Sequence, residues 1–184
     1  MKNLIQQYKP FLLFLGKFVL SYLLLTFIYQ SYLNQFDSAK SEVDSITELV
    51  SKQTEFALKW VDESSYVVNN DHEPSVKVIY KNHYVTRIIE GCNALSVMIL
   101  FAAFVVAFTG KLKRTLVFIL VGIAIIHILN ILRIALLTLA LYYYPKSQHL
   151  LHGVVFPLII YGVVFVLWVI WVNKYSLHAT AHSK

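Results

Sequence analysis

Charged residues are scarce in this chain, and their scarcity identifies its class. Asp, Glu, Lys and Arg make up 14% of the 184 residues, whereas hydrophobic residues make up 58%. Soluble domains usually carry about 25% charged residues. The composition therefore excludes an ordinary soluble domain and indicates an integral membrane protein.

Acidic residues are absent from most of the chain. All of them lie between Asp37 and Glu90, and every charge outside that stretch is basic. Because short loops rich in Lys and Arg stay in the cytoplasm, this asymmetry carries information about membrane topology. No basic patch outside the apolar runs is interleaved with stacking aromatic residues, so we expect membrane lipid and no nucleic acid as a partner.

Cysteine is almost absent as well, because Cys92 is the only one in the sequence. A single cysteine cannot form an intrachain disulfide and leaves a free thiol. The chain also lacks the His and Glu spacing of zinc sites and has no second thiol. We therefore expect no metal and no cofactor.

Long apolar runs, in contrast, are abundant. Since about 20 apolar residues cross the hydrocarbon core of a bilayer, four runs are predicted to be helical spans: residues 11–30, 88–108, 116–142 and 152–172. The predicted fold is an all-α integral membrane protein. Its bundle of about four transmembrane helices would form a single membrane domain over residues 1–184.

Residues 31–86, between the first two runs, are polar and form a predicted extracytoplasmic segment. Apolar residues recur at helical spacing over residues 38–60, which predicts an amphipathic helix capped by Asp37 or Ser38. Two β-prone runs, residues 66–68 and 76–80, flank a turn-like stretch and predict a short hairpin.

The basic loops agree on one orientation. Lys2 and Lys9 place the N-terminus in the cytoplasm, and the basic turn at residues 111–114 lies on the same side. The segment 31–86 is then outside. The fourth span returns to a cytoplasmic C-terminus.

Three rare side chains fall at one depth in this topology. Cys92 lies near the outer end of the second span, and His152 opens the fourth span at the same side. Arg133 lies about 25 Å along the third span at 1.5 Å per residue, close to the outer side of a ~30 Å core. Residues scattered at random would not share a level, so these three form the candidate site.

Each of these residues also has a simpler interpretation. A lone cysteine in an apolar helix is usually inert packing, although the polar neighbours Glu90 and Asn93 favour a functional thiol. A charge in mid-span costs at least ~2.5 kcal/mol. Arg133 is therefore functional by default, the alternative being a structural ion pair or a bound lipid headgroup. His152 could simply extend toward the headgroups.

Further polar residues complete the candidate set. Asn130 lies three residues before Arg133 on the same helical face, where it either orients the guanidinium or hydrogen-bonds a neighbouring span. His149 is the alternative to His152 as the base. His127 is nearer the helix middle, and we expect it to make a packing or interhelical contact.

A thiol, an imidazole and a guanidinium together suit acyl transfer. A thiolate attacks a carbonyl and forms a thioester, and an imidazole within reach takes and returns the proton. A guanidinium stabilises the developing oxyanion or holds the substrate carbonyl. The combination predicts a cysteine acyl-transfer site.

These residues resemble the exosortase/archaeosortase family. A cysteine at the outer start of one span, Asn130 and Arg133 in the next, and His152 opening another carry the resemblance. The stretch Glu90-Gly91-Cys92-Asn93-Ala94, with residues 152–168, is most similar to the family's short F-type branch. The likeness covers roughly residues 84–171. The chain differs in having Asn93-Ala94 where many members have a small residue and glycine, and in having fewer predicted spans.

The resemblance implies a membrane transpeptidase with sortase-like chemistry at the outer face of the bacterial cytoplasmic (inner) membrane. Its substrates would be exported proteins with a C-terminal signal of short motif, apolar helix and basic cluster. It would cleave near the motif and pass the protein to a surface acceptor. By position, Cys92 would be the nucleophile, Arg133 the oxyanion stabiliser and His152 the general acid/base, with support from Asn130, Glu90 and Asn93.

Other functions remain open on the sequence. A small transporter would use Arg133 as an anion or proton site, although no inverted repeat supports this. A non-catalytic membrane subunit would dock a partner through Phe56 and Trp60 of the amphipathic helix. A di-histidine haem site is disfavoured, because His127 and His152 differ in depth.

Overall fold

The computed structural model describes residues 2–37, 40–108 and 110–175, and for residues 2–7 it describes the backbone alone. Helices account for most of the described chain, which confirms the prediction of a mainly helical membrane protein. The helices are α1 (Lys2–Leu33), α2 (Ser45–Lys59), α3 (Leu95–Ala107), α4 (Leu112–Tyr143), α5 (Gln148–Leu150) and α6 (Phe156–Ile170). The strands are β1 (Tyr66–Asn69), β2 (Ser75–Tyr80) and β3 (His83–Ile89).

Three stretches among the described residues are long and apolar enough to cross a bilayer. They are Tyr8–Leu33, Leu112–Tyr143 and Pro145–Tyr175, and each extends a predicted span. The fourth apolar helix, α3, has only 13 residues. At 1.5 Å per residue it is about 20 Å long, which is shorter than the ~30 Å hydrocarbon core.

The predicted start of the second span at residue 88 is wrong. Ile88 and Ile89 belong to β3, and a 3₁₀ turn (Glu90–Cys92) follows before α3 begins at Leu95. Ile88 and Ile89 are as apolar as the residues of α3, so hydropathy alone did not separate the end of the strand from the helix. Cys92 therefore lies in the turn before the helix rather than inside it.

The predicted start of the amphipathic helix is also wrong. Helix α2 begins at Ser45, and the carboxylate of Asp44 caps it by accepting hydrogen bonds from two backbone N–H groups at 3.0 and 3.1 Å. Such a cap satisfies donors that have no partner within the helix. Of the two predicted caps, Asp37 lies well before the helix, and Ser38 lies outside the described residues.

The hairpin prediction is confirmed, but the sheet has a third strand. β1 pairs antiparallel with β2 as predicted, and β2 pairs antiparallel with β3. The last two strands join through Lys81 and Asn82, which have φ values of 50° and 60°. Positive φ at both central residues is the requirement of a tight type I′ hairpin turn.

The chain forms two compact units. The first contains α1 to Tyr32, α3 from Ser96, α4 to Ala124 and the end of α6 from Val163. Contacts between aromatic rings stabilise this first unit. The ring of Phe104 stacks on Trp168 at 4.3 Å between centroids, and Phe14 contacts Phe108 at 4.5 Å.

The second unit comprises Leu33–Leu95 and Ile125–Gly162. In it, α2 and the sheet pack against the C-terminal half of α4. Cys92 packs against the resulting core, which places the thiol beside a fixed scaffold. The core residues are Val50, Leu58, Val78, Tyr80, Ile88, Ile134 and Ala135.

The turn between β2 and β3 is anchored on the end of α4. Lys81 Nζ donates a hydrogen bond to the Tyr143 hydroxyl at 3.3 Å. The same ammonium lies 5.6 to 5.7 Å from the ring centroids of Tyr80, Tyr142 and Tyr143, within the range of cation–π attraction. This hydrogen bond is the main cause of a raised Lys81 pKa. The anchor fixes one end of β3, and the other end leads into the Cys92 turn.

Candidate active site

The Cys92 turn is shaped by the residue that follows it. The backbone N–H of Asn93 donates to the carbonyl of Glu90 at 3.2 Å, which closes the 3₁₀ turn. The side-chain oxygen of Asn93 then accepts from the backbone N–H of Leu95 at 2.9 Å and caps α3. Between them Ala94 adopts a φ of 62°, a left-handed conformation that bends the chain into the helix.

Asn93 also ties this turn to α2. Its side-chain amide donates to the hydroxyl of Thr47 at 3.2 Å, and both side chains are buried. Because both ends of the Asn93 amide are engaged, the segment after the cysteine has little freedom to shift.

Asn130 of α4 joins the cysteine to the arginine. Its amide nitrogen donates to the backbone carbonyl of Cys92 at 2.8 Å, and its oxygen accepts from Arg133 Nη1 at 3.3 Å. The residue is fully buried. The sequence left two roles open for Asn130, which were to orient the guanidinium or to hydrogen-bond another segment. The structure shows a hydrogen bond of each kind.

The position of Asn130 along α4 sets the depth of this arrangement. The helix covers residues 112–143, so any membrane-crossing stretch of about 20 residues runs between 112–131 and 124–143. Every such stretch includes residues 124–131. Asn130 therefore lies at membrane depth, and so does the Cys92 carbonyl that it binds.

Cys92 and His152 line the same cavity, which has a volume of about 190 Å³. The thiol is half-buried. His152 belongs to a π turn (Leu151–Val155) that precedes α6, a distortion that is frequent at functional sites. The remaining lining residues are Thr86, Arg87, Ile89, Leu137, Leu141 and Gln148.

Arg133 does not line this cavity, and its link to the Cys92 turn runs through Asn130. The Nε atom of Arg133 is buried and has no hydrogen-bond partner among the described residues. A buried donor without a partner is unfavourable. The guanidinium therefore has one N–H group that no described residue engages.

Neither Glu90 nor His149 lines the Cys92 cavity. Glu90 is exposed and lines a separate cavity of about 380 Å³ with Gly91. His149 is exposed and shares an open depression with His152, but it does not line the cavity that contains the thiol. Of the two histidines, His152 is the one that the fold brings to Cys92.

Sequence reasoning missed several residues around the site. Arg87 and Gln148 line the Cys92 cavity, and Arg87 pairs with Glu73 at 2.7 Å. Side chains alternate between the two faces of a strand, which puts Arg87 on the same face as Ile89. This alternation could have indicated Arg87. No sequence signal pointed to Gln148, or to Thr47 as the partner of the turn.

Metal ligation has no obvious location. Within the described ranges, no group of three or more His, Cys, Asp or Glu side chains is arranged to hold a metal ion.

The interhelical contact expected of His127 is present, because its Nε2 hydrogen-bonds Gln53 Oε1 of α2 at 2.8 Å.

Apolar spans around a thiol, an imidazole and a guanidinium define a membrane protein with a thiol-centred candidate site. The family of transmembrane exosortases (Exosortase_EpsH) has a model that matches residues 10–172. Because this match covers most of the chain, the protein belongs to that family, and the resemblance seen in the sequence is confirmed. No curated protein and no solved structure matches the chain significantly.

Proposed function

We propose that the protein is a membrane-embedded cysteine transpeptidase. It would cleave the C-terminal sorting signal of exported proteins and transfer them to a surface acceptor. The observation that carries the proposal is the shared cavity of Cys92 and His152, with Asn130 joining the Cys92 turn to Arg133. Membership of the exosortase family supports the same chemistry.

In the proposed reaction, His152 takes the proton of the Cys92 thiol, and the thiolate attacks the carbonyl of the scissile peptide bond. Arg133 donates a hydrogen bond to the oxyanion that forms. As the intermediate collapses, the C–N bond breaks and His152 returns the proton to the leaving amine. A thioester on Cys92 remains. An acceptor nucleophile then attacks the thioester and regenerates the thiol.

Asn130 would act as a positioning residue in this scheme, since it touches the Cys92 backbone and the guanidinium at once. Asn93 would hold the turn from the other side through Thr47. Glu90 would support the turn through its backbone carbonyl.

The proposed site opens toward the outer face of the bacterial inner membrane, with both termini in the cytoplasm. The basic residues of the short loops support this orientation. A substrate whose apolar helix crosses the bilayer presents its preceding motif near the membrane boundary. The Cys92 cavity is lined on α4 by Leu137 and Leu141, near the end of that helix, and is suited to receive that motif.

The proposal is tested by following the processing of an exported reporter that carries a native C-terminal sorting signal. Cys92→Ser should abolish processing, and His152→Ala should lower its rate by about 10²-fold or more, as expected for loss of a general acid/base. His149→Ala is the matched control and should process normally. Wild-type processing by an inserted Cys92→Ser variant would disprove the proposal.

A further inference from the structure

Helix α2 buries a face of mixed polarity against the protein. Val50 and Leu58 lie on it together with Thr47, Ser51 and Thr54, all of them fully buried. The hydroxyls of Ser51 and Thr54 donate hydrogen bonds to carbonyls of their own helix at 2.7 and 2.8 Å. A surface helix in water normally buries its whole apolar stripe, whereas α2 buries only part of its apolar residues.

Three large apolar side chains of α2 and its C-cap point outward. Leu49, Phe56 and Trp60 are 51%, 64% and 80% exposed, and the rings of Phe56 and Trp60 contact each other at 5.8 Å. With Gln53 they follow the spacing i, i+4, i+7, i+11, which places all four on one stripe of the helix. This stripe (Leu49, Gln53, Phe56, Trp60) is called the apolar stripe below.

A charged stripe runs beside it. Glu48, Lys52, Glu55 and Lys59 repeat the same spacing one residue earlier, and they form the ion pairs Lys52–Glu48 and Lys59–Glu55. Adjacent apolar and charged stripes, with aromatic residues on the former and lysines on the latter, are typical of helices that lie in a membrane interface.

Gln53 links the apolar stripe to α4. It belongs to the apolar stripe, and its side-chain oxygen hydrogen-bonds His127 at 2.8 Å. His127 is one of the central residues 124–131 that every membrane-crossing stretch of α4 includes. The apolar stripe is therefore on the side of α2 that meets α4 at membrane depth.

We propose that α2 is an interfacial membrane helix whose apolar stripe is covered by lipid, while its charged stripe contacts water. Lipid is the occupant because the stripe is continuous, through Gln53 and His127, with a helix that is long and apolar enough to cross the bilayer. From its opposite face, Thr47 holds the Asn93 amide. The seating of α2 in the bilayer thus positions the Cys92 turn, and this inference does not depend on the proposed reaction.

The test uses spin labels in a Cys92→Ser background, which removes the chain's only cysteine. Phe56→Cys places a label on the apolar stripe, and Lys52→Cys places the matched control label on the charged stripe. In liposomes free of substrate, collision rates with dioxygen and with a water-soluble nickel complex report depth. The Phe56 label should lie about 5–10 Å below the headgroup boundary, and the Lys52 label should be accessible to nickel.

Equal nickel accessibility of the two labels would overturn the proposal. A Phe56 label shielded from both reagents would also overturn it, because a protein partner or a second copy would then cover the stripe. Leu49→Cys samples the same stripe and gives the same test if the Phe56→Cys variant fails to insert.

Discussion

Asn130 offers a sharp test of how the site is held together. Asn130→Leu keeps the size of this fully buried side chain but removes its bonds to the Cys92 carbonyl and to Arg133. A buried acceptor left without a partner costs about 1–3 kcal/mol. We therefore expect a loss of about 1–3 kcal/mol in the free energy of unfolding.

The effect on activity should be larger than this structural loss suggests. The Asn130 amide fixes the backbone of the nucleophile and the direction of the guanidinium together, and a misplacement of 1 Å can lower a rate by about 10²-fold. Asn130→Asp separates the two contributions. It keeps an acceptor for Arg133 and loses the donor to the Cys92 carbonyl, so activity retained by Asp but not by Leu would assign the effect to Arg133.

The assay measures reporter processing in membranes and the Tm of the purified protein. Thr138→Val is the matched control, because Thr138 is fully buried on the same helix and bonds only the carbonyl of Ile134, at 2.9 Å. If Asn130→Leu processed the reporter as fast as Thr138→Val, Asn130 would not position the site, and the reasoning would be refuted.

Three further changes have distinct expected results. Arg133→Lys keeps the charge but lacks the planar fork, so processing should fall by about 10²-fold; partial transport activity with normal processing would instead favour a transporter. Gly122→Ala should lower the Tm, because its Cβ would lie 2.2 Å from the buried ring of Phe101, whereas Gly162→Ala meets nothing within 4 Å and should not. At pH values below 10.5, Lys81→Met should lower the Tm. Since the Lys81 pKa is raised in the fold, its contribution is present below the ordinary lysine value and lost as the pH rises through the folded value; a pH-independent difference in Tm would contradict this.

The long spans were predictable because their signal is local. Residues 116–142 and 152–172 are apolar throughout, and length alone distinguishes a span from a buried helix. The structure extends both. The rarity of Cys92, Arg133 and His152 in an apolar sequence also singled them out without any knowledge of contacts.

The boundary around Cys92 was not predictable in the same way. Ile88 and Ile89 continue the apolar run, and they form a strand because β2 offers a partner from a distant part of the hairpin. The turn at Lys81 and Asn82 was not predicted, since a lysine seldom adopts the positive φ that this turn requires. The contacts of Asn93 with Thr47 and of His127 with Gln53 join segments far apart in sequence, so no periodicity reports them.

Capture of the covalent intermediate tests the central claim most directly. Membranes containing the protein would be incubated with the sorting-signal reporter and separated under denaturing conditions with and without hydroxylamine, which cleaves thioesters. Because Cys92 is the only cysteine, any thioester on this chain is located at once. We expect a hydroxylamine-sensitive adduct between the protein and the upstream part of the reporter, absent from Cys92→Ser. Processing that proceeds in Cys92→Ser membranes would contradict it.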